Sequence, residues 1–549
     1  MRFDLDHDWQ GNMLTPRAKV GERAKTRLLL VLCAIWLCMG LFGHSPWKPF
    51  ESHTISTIKT ILDTGNLLAP ISASNTEIAN PPLYYLSAAA TAKALGTILP
   101  LPDAARLASG LWMMITLLMV SMTGRELWGK GYGRQTTFVL IGSLGLVLSA
   151  HTLMPAVGTL AGISTSFYAL ALAKRRPYRA SMLMALGTGV SFLSTGLQPL
   201  AIIVIACIAL PCSFRAWRNK SFASVLGLSL LFASPFLLIW PLLCQHFYPD
   251  IYAHWWIASL RQFRHGRHLY FIRTLLWYAW PALPLAVWGF WRNRQQLLVK
   301  PKFQLIITFF ITAWLVIGFG YKNEVFALPL LIPLTVMAGG SIESLKRGTA
   351  SALNWFGLIL FGLISGVVWL GWLAMITGSP VKLKERLVFL SGLIHLDFSW
   401  IALIPALIVT LIWLLAILRS QHSNRSGATN WAIGMTCVWT LLMSLWLPMI
   451  DSARSYDIIF SQLKQALPTK YACLTSNHLG KAQNDLLHYY ANIKAQTVEA
   501  DGMLNCDLYL VQDDRDREKV EPGHDWKLIW SGKRVAERRE KFRLFQRIK

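Results

Sequence analysis

Residues 81–101 read PPLYYLSAAATAKALGTILPL. The stretch looks apolar enough for a membrane span, and whether it crosses decides on which side every later loop lies. A spanning helix needs about 20 mostly apolar residues. Thirteen other stretches qualify: about 27–43, 106–125, 135–154, 155–173, 180–195, 197–213, 221–243, 271–290, 303–320, 324–342, 352–377, 399–418 and 430–450. The cations settle the matter. Arg17, Lys19, Arg23, Lys25 and Arg27 precede or open the first stretch, which places the N-terminus in the cytoplasm, because short cytoplasmic loops collect Lys and Arg. Alternation then puts Arg125/Lys130/Arg134, Lys174/Arg175/Arg176/Arg179, Arg215/Arg218/Lys220, Arg292/Arg294/Lys300/Lys302, Lys346/Arg347 and Arg419/Arg425 on that same side. This holds only if 81–101 does not cross. It therefore reads as a helix lying along the outer membrane surface.

The composition agrees. The 549-residue chain is 54% hydrophobic and 15% charged, against about 25% charged residues in a soluble domain. Its mean hydropathy is +0.41. Soluble cores stop growing near about 250–300 residues. A large soluble enzyme and a disordered chain are both excluded, leaving an all-α polytopic membrane protein. The net charge of +25 would point to nucleic acid on a soluble chain. Here the topology-setting loops account for much of it, and no nucleic-acid partner is expected.

No cleavable leader is expected, since the first apolar run follows a long polar stretch and reads as a retained span. The eight cysteines form no CxxC pair or zinc-type spacing, so most read as small buried hydrophobes. Cys473 and Cys506 differ, because they lie in a polar tail and can pair if that tail is outside the cytoplasm. In the tail, Cys506–Gln512 (CDLYLVQ) and Trp526–Trp530 (WKLIW) read as strands. The expected division is a cytoplasmic segment 1–26, a transmembrane unit 27–450 and an outer α/β domain 451–549.

The outer face then carries the polar chemistry. Its first loop, 44–105, holds Glu51, His53, Lys59, Asp63 and Glu77 around a helically spaced stretch, Ile55–Leu62. An amphipathic cover over the bundle is the competing reading. The loop 244–270, CQHFYPDIYAHWWIASLRQFRHGRHLY, gathers Arg261, Arg264, His265, Arg267 and His268 beside aromatics. Two readings fit it: phosphate capture and lipid-headgroup anchoring. Lys322, in the tight turn Tyr321–Glu324, is a second outer cation, and the loop 378–398 supplies a third group.

The order W-K-P-x-E, amphipathic helix, polar turn, N-P-P-L-Y-Y-L within residues 47–86 resembles the first outer loop of GT-C membrane glycosyltransferases. The resembling group contains the lipid A aminoarabinose transferase and the protein O-mannosyltransferases. Gly187–Pro199 (GTGVSFLSTGLQP), Trp277–Trp288 (WYAWPALPLAVW) and Phe326–Gly339 (FALPLLIPLTVMAG) resemble later family segments, so the likeness spans nearly the whole chain. It implies about 13 spans and a periplasmic C-terminal domain in a bacterial inner membrane. It also implies sugar transfer from a polyprenyl-phosphate donor, such as an undecaprenyl carrier, to an extracytoplasmic acceptor. A divalent metal is admissible, although no spacing defines a site.

The departures are specific. Phe50 stands where the family has an Asp, Ala79-Asn80 where it has Glu-Lys, Ala156 where it has a second acid, and Thr195 where it has Lys. No acid lies between Glu126 and Asp250 to replace the second one. By elimination, Glu51 is the expected base, with Asp63 and Glu77 as runners-up. Arg261, Arg264, His265, Arg267 and Lys322 are expected to bind the carrier phosphate. The expected substrate pocket is Asn80, Pro81, Pro82, Tyr84, Tyr85 and His151. The replaced acids leave open a catalytically degenerate member that binds lipid or assists assembly. A transporter ranks behind both, because the span centres carry almost no charge.

Overall fold

The computed structural model describes residues 22–74, 78–264, 266, 268–419, 424–497, 506–514, 523, 525–534, 536–537 and 540–548. The candidates Glu77, His265 and Arg267 lie outside the described residues, as does the side chain of Arg264. Helix α1 (Glu22–Cys38) leads into the first outer loop, which folds as α2 (Phe50–Thr64) and α3 (Leu83–Leu95). The bundle continues through α4 (Leu101–Trp128), α5 (Tyr132–Ile141), α6 (Leu144–Ala150), α7 (Pro155–Leu172), α8 (Pro177–Thr195), α9 (Leu197–Ser213) and α10 (Lys220–Phe247). The aromatic loop forms α11 (Pro249–Arg261). Then come α12 (His268–Tyr278), α13 (Ala282–Arg292), α14 (Pro301–Gly318), α15 (Leu328–Ser341), α16 (Arg347–Thr377), α17 (Val381–Ser391), α18 (Trp400–Arg419), α19 (Asn424–Leu445) and α20 (Leu447–Arg454).

Seven helical segments among the described residues are long and apolar enough to cross a membrane: α4, α7, α10, α14, Glu324–Ser344 around α15, α16 and α18. The pair α19–α20, bent by 68°, makes up to eight. All thirteen stretches read from the sequence fall on helix, but six of them are shorter, less apolar or broken. Stretch 135–154 breaks between α5 and α6, and 271–290 breaks ahead of Pro281, whose ring cannot donate to the helix ladder. The two breaks meet. Leu144 N donates to Trp280 O (3.1 Å), and Trp431 Nε1 donates to Gly142 O (2.9 Å). Freed backbone groups inside a bundle need such partners.

Helix α3 has 13 residues, about 20 Å at 1.5 Å per residue, well short of a hydrocarbon core of about 30 Å. It buries Tyr84, Tyr85, Ala88, Ala89 and Ala92 as one stripe. Residues 81–101 thus contain a short helix, not a span. Helices α7 and α8 approach closely through small residues: a methyl group on Gly162 would sit 2.6 Å from Gly187 O. Larger residues there would force the backbones apart.

The tail contains α21 (Asp457–Ala466), β1 (Leu474–Asn477), α22 (Lys481–Ala491), β2 (Gln496–Thr497), β3 (Leu508–Asp514), β4 (Trp526–Lys533) and β5 (Glu540–Arg547). The strand order is β2-β1-β3-β5-β4. β1 runs parallel to β2 and β3, whereas β5 is antiparallel to β3 and β4. Both stretches read as strands from the sequence are strands. Cys473 and Cys506, just ahead of β1 and β3, form a disulfide.

The tail docks on the first outer loop through polar contacts. Lys48 pairs with Glu540 (2.6 Å), which also accepts from Tyr456 Oη (2.6 Å). Lys59 Nζ donates to the carbonyls of His488 and Tyr489 (3.0 and 3.2 Å), and Ser56 Oγ meets His488 Nδ1 at 3.1 Å. Burial and then the nearby Lys59 and Lys494 charges hold His488 down at about 4. An undocked His488 titrates near about 6.5, so it binds a proton more readily than the docked one between those values. Docking is therefore complete above about pH 6.5 and weakens as pH falls towards 4. We expect a loss of about 1–2 kcal/mol over that window. Thermal melts of wild type and His488→Gln across pH 4–7 check this. A wild-type melt as flat as the variant's would refute it.

Candidate active site

The site is built around one buried arginine. Pro102 and Asp103 open α4, so Arg106 lies one turn in, three residues after Asp103. Its side chain has no solvent exposure, and a guanidinium carries five N–H donors in a rigid fork. All five have partners. Nε and one terminal nitrogen reach Glu51 Oε1 and Oε2 (2.9 and 3.1 Å). The remaining donors reach Asp103 Oδ1 (2.9 Å), His44 O (2.9 Å) and Ser45 O (3.1 Å).

Glu51 is equally saturated. It sits in the first turn of α2, where it accepts from Trp47 N at Oε2 (2.9 Å); Leu153 N reaches Oε1 (3.0 Å). Burial alone would raise its carboxyl, but the Arg106 guanidinium outweighs this and holds it below the usual range. Each oxygen thus takes two donors. A proton arriving on Glu51 would have to displace Arg106 or a backbone N–H. In this arrangement Glu51 anchors the first outer loop to the bundle.

Asp451, on α20, braces the same loop. Its Oδ1 accepts from Ser45 N (2.9 Å), Ser45 Oγ (2.5 Å) and Trp47 Nε1 (2.9 Å); Oδ2 takes none of these bonds. Asp451 lines a cavity of about 520 Å³ together with Ser45, Asp103, Asp457, Tyr489 and Tyr490. The cavity lies where the first loop, the start of α4, α20 and the tail meet. A second cavity, about 660 Å³, lies between α13 and α16 and is walled by Trp280, Leu285, Trp288, Trp291 and Phe356. Among the described residues its wall is apolar and aromatic and carries no acid, base or cation.

The other expected site residues scatter. Asp63 is exposed at the far end of α2, with Lys59 as its charge neighbour. Arg261 is exposed at the end of α11, and Lys322 is exposed in the turn after α14. Pro81 and Pro82 are buried. Tyr84 Oη bonds Ser109 Oγ (2.5 Å) and accepts from Met154 N (3.1 Å). Asn80 Nδ2 donates to Tyr85 Oη (3.3 Å). The ring nitrogens of His151 face the carbonyls of Val147 and Trp36 (2.5 and 2.6 Å), so both serve packing. Among the described residues no three His, Cys, Asp or Glu converge to hold a metal. The described residues thus offer no ligand set for the divalent ion that the resemblance admits.

No family profile matches the chain. The undecaprenyl phosphate-alpha-4-amino-4-deoxy-L-arabinose arabinosyl transferase of Serratia proteamaculans (strain 568) is 22% identical over 475 residues, 82% of this chain and 81% of that protein. ArnT from Cupriavidus metallidurans bound to undecaprenyl phosphate superposes with a TM-score of 0.71 at 13% identity, over 95% of this chain and 98% of ArnT. The chain has the ArnT fold. Apo ArnT matches with a TM-score of 0.70 over the same shares. The GT-C resemblance carried by the loop motifs is thus borne out as a fold, bundle and C-terminal sheet together. Within the ArnT fold, this chain's Phe50 packs partly buried against the core, and Thr195 Oγ1 meets Thr159 Oγ1 at 2.7 Å.

Sequence reasoning missed Arg106, Asp103 and Asp451. An Asp three residues ahead of an Arg at the head of an apolar run was a usable signal for the first two. Asp451 offered only its position as the first charge after the last span. Its partner Ser45 is 406 residues away, and nothing local marks the pair.

Proposed function

We propose that this chain is a glycosyltransferase that moves a sugar from a polyprenyl-phosphate carrier to an extracytoplasmic acceptor. The observation that carries this reading is the ArnT fold over nearly the whole of both chains, in a structure that holds undecaprenyl phosphate. The Serratia relative, named for an undecaprenyl phosphate-linked aminoarabinose, supports the same donor class. The protein sits in a bacterial inner membrane, with its N-terminus cytoplasmic and its tail periplasmic. The basic short loops favour that orientation, and so does the Cys473–Cys506 disulfide, since such bonds persist in oxidising compartments. Negative charge grows on the departing lipid phosphate and needs cations. Arg261, Arg264, His265, Arg267 and Lys322 fill that role.

One set of observations favours a second reading, a lipid-binding protein without turnover. Phe50 and Ala156 stand where the family has acids, and Glu51 has both oxygens occupied. The experiment is turnover by the purified full chain in nanodiscs. The probe is undecaprenyl phosphate-4-amino-4-deoxy-L-arabinose with an envelope glycolipid extract. We expect release of undecaprenyl phosphate and a glycosylated product in the mass spectrum. Tight binding of the donor without product would establish the second reading instead.

A further inference from the structure

Resting on that reading, we propose that Asp451 is the general base of the transfer and that the acceptor presents a neutral hydroxyl rather than a phosphate. The three donors on Asp451 all reach Oδ1. They hold the carboxylate by one oxygen and none of them reaches Oδ2, and Asp451 lines the cavity. Every other nearby acid is committed or peripheral. Glu51 takes two donors on each oxygen. Asp103 takes Arg106 on Oδ1 and Gly43 N on Oδ2. Asp457 is exposed and accepts from Ser461 Oγ (3.3 Å).

The charge of the cavity selects the acceptor. Asp103, Asp451 and Asp457 line it, and among the described residues no Lys or Arg does; Arg454, exposed, stacks over the Trp47 ring outside that lining. Arg106 lies behind the wall and is matched by Glu51 and Asp103. The donor phosphate has the proposed carrier-site cations to meet it, whereas a second phosphate, on an acceptor entering at Asp451, would meet like charge, and its oxygens need no base. A hydroxyl suffers no such repulsion and does need one. Tyr489 and Tyr490 stand in the same wall and give it aromatic faces on which a sugar ring can rest.

The step balances. The acceptor O–H proton passes to Asp451 Oδ2. The acceptor oxygen forms a bond to the anomeric carbon, and the bond from that carbon to the carrier phosphate oxygen breaks. The electron pair leaves on the polyprenyl phosphate, and Asp451 later returns its proton to water.

The test uses the full chain in nanodiscs with undecaprenyl phosphate-4-amino-4-deoxy-L-arabinose. The acceptor is envelope glycolipid, either untreated or stripped of phosphate monoesters by phosphatase. Asp451→Asn keeps an oxygen for Ser45 and Trp47, so the fold survives and a matching thermal melt verifies it. We expect kcat to fall about 10²–10⁴-fold with donor affinity unchanged, Asp451→Glu to recover part of the rate, and wild type to glycosylate the phosphatase-treated acceptor. Wild-type kcat in Asp451→Asn overturns the base while leaving the glycosyltransferase reading intact. Transfer that vanishes on phosphatase treatment overturns the hydroxyl acceptor. If wild type turns over no donor, the functional reading fails and the base with it.

Discussion

Replacing Glu51 with alanine is expected to destabilise the purified protein by about 3–5 kcal/mol, because it strips a buried arginine of its bidentate partner. Arg106 keeps Asp103 and two carbonyls, which favours the lower end. Arg106→Leu should cost a similar amount, since it strands Glu51 without solvent. The double variant Glu51→Leu/Arg106→Leu should cost clearly less than the sum, because neither charge is then left alone. Chemical unfolding in a mild detergent reads all three. The same experiment separates two roles for Glu51. A base confined to chemistry would leave the melt unchanged and abolish transfer, whereas an anchor loses the fold first. A Glu51→Ala protein within 1 kcal/mol of wild type would remove the anchor.

The second large effect concerns the disulfide. Cys473 and Cys506 are 33 residues apart in sequence, and closing a loop of that length restricts the unfolded chain by about 3–4 kcal/mol. Replacing both cysteines with serine should destabilise the outer sheet by that amount while the apolar bundle keeps its helical signal. Limited proteolysis should then release fragments from the tail at concentrations that leave wild type intact. Equal protease resistance in the two proteins would count against this. Because α22 carries Tyr489 and Tyr490 into the cavity wall, transfer should fall along with the tail.

Much of the architecture was legible because it follows from local pattern. The apolar runs became helices, the alternating CDLYLVQ and WKLIW stretches became strands, and the two tail cysteines paired. Helix breaks were less legible: 135–154 reads as one mostly apolar run, and the contacts of Trp280 and Trp431 with Leu144 and Gly142 show where it parts. At the site, Glu51 was visible as an acid in the right loop. Its neighbours were not, and they decide its role. Four donors, one of them Leu153 N from 102 residues away, give it the anchoring contacts that the unfolding experiment tests. Asp451 was invisible for the same reason, since its three donors come from the other end of the chain.

That separation sets a timetable for synthesis. Glu51 and Arg106 are 55 residues apart, so the anchor can close soon after α4 enters the membrane. Ser45 waits for Asp451, 406 residues later, which at about 5–20 residues per second means roughly 20–80 s. A chain that stalls before α20 carries a tethered first loop and no brace. The cavity, whose wall also takes Asp457, Tyr489 and Tyr490 from the tail, therefore closes only after the last membrane helix and α22 have both been made.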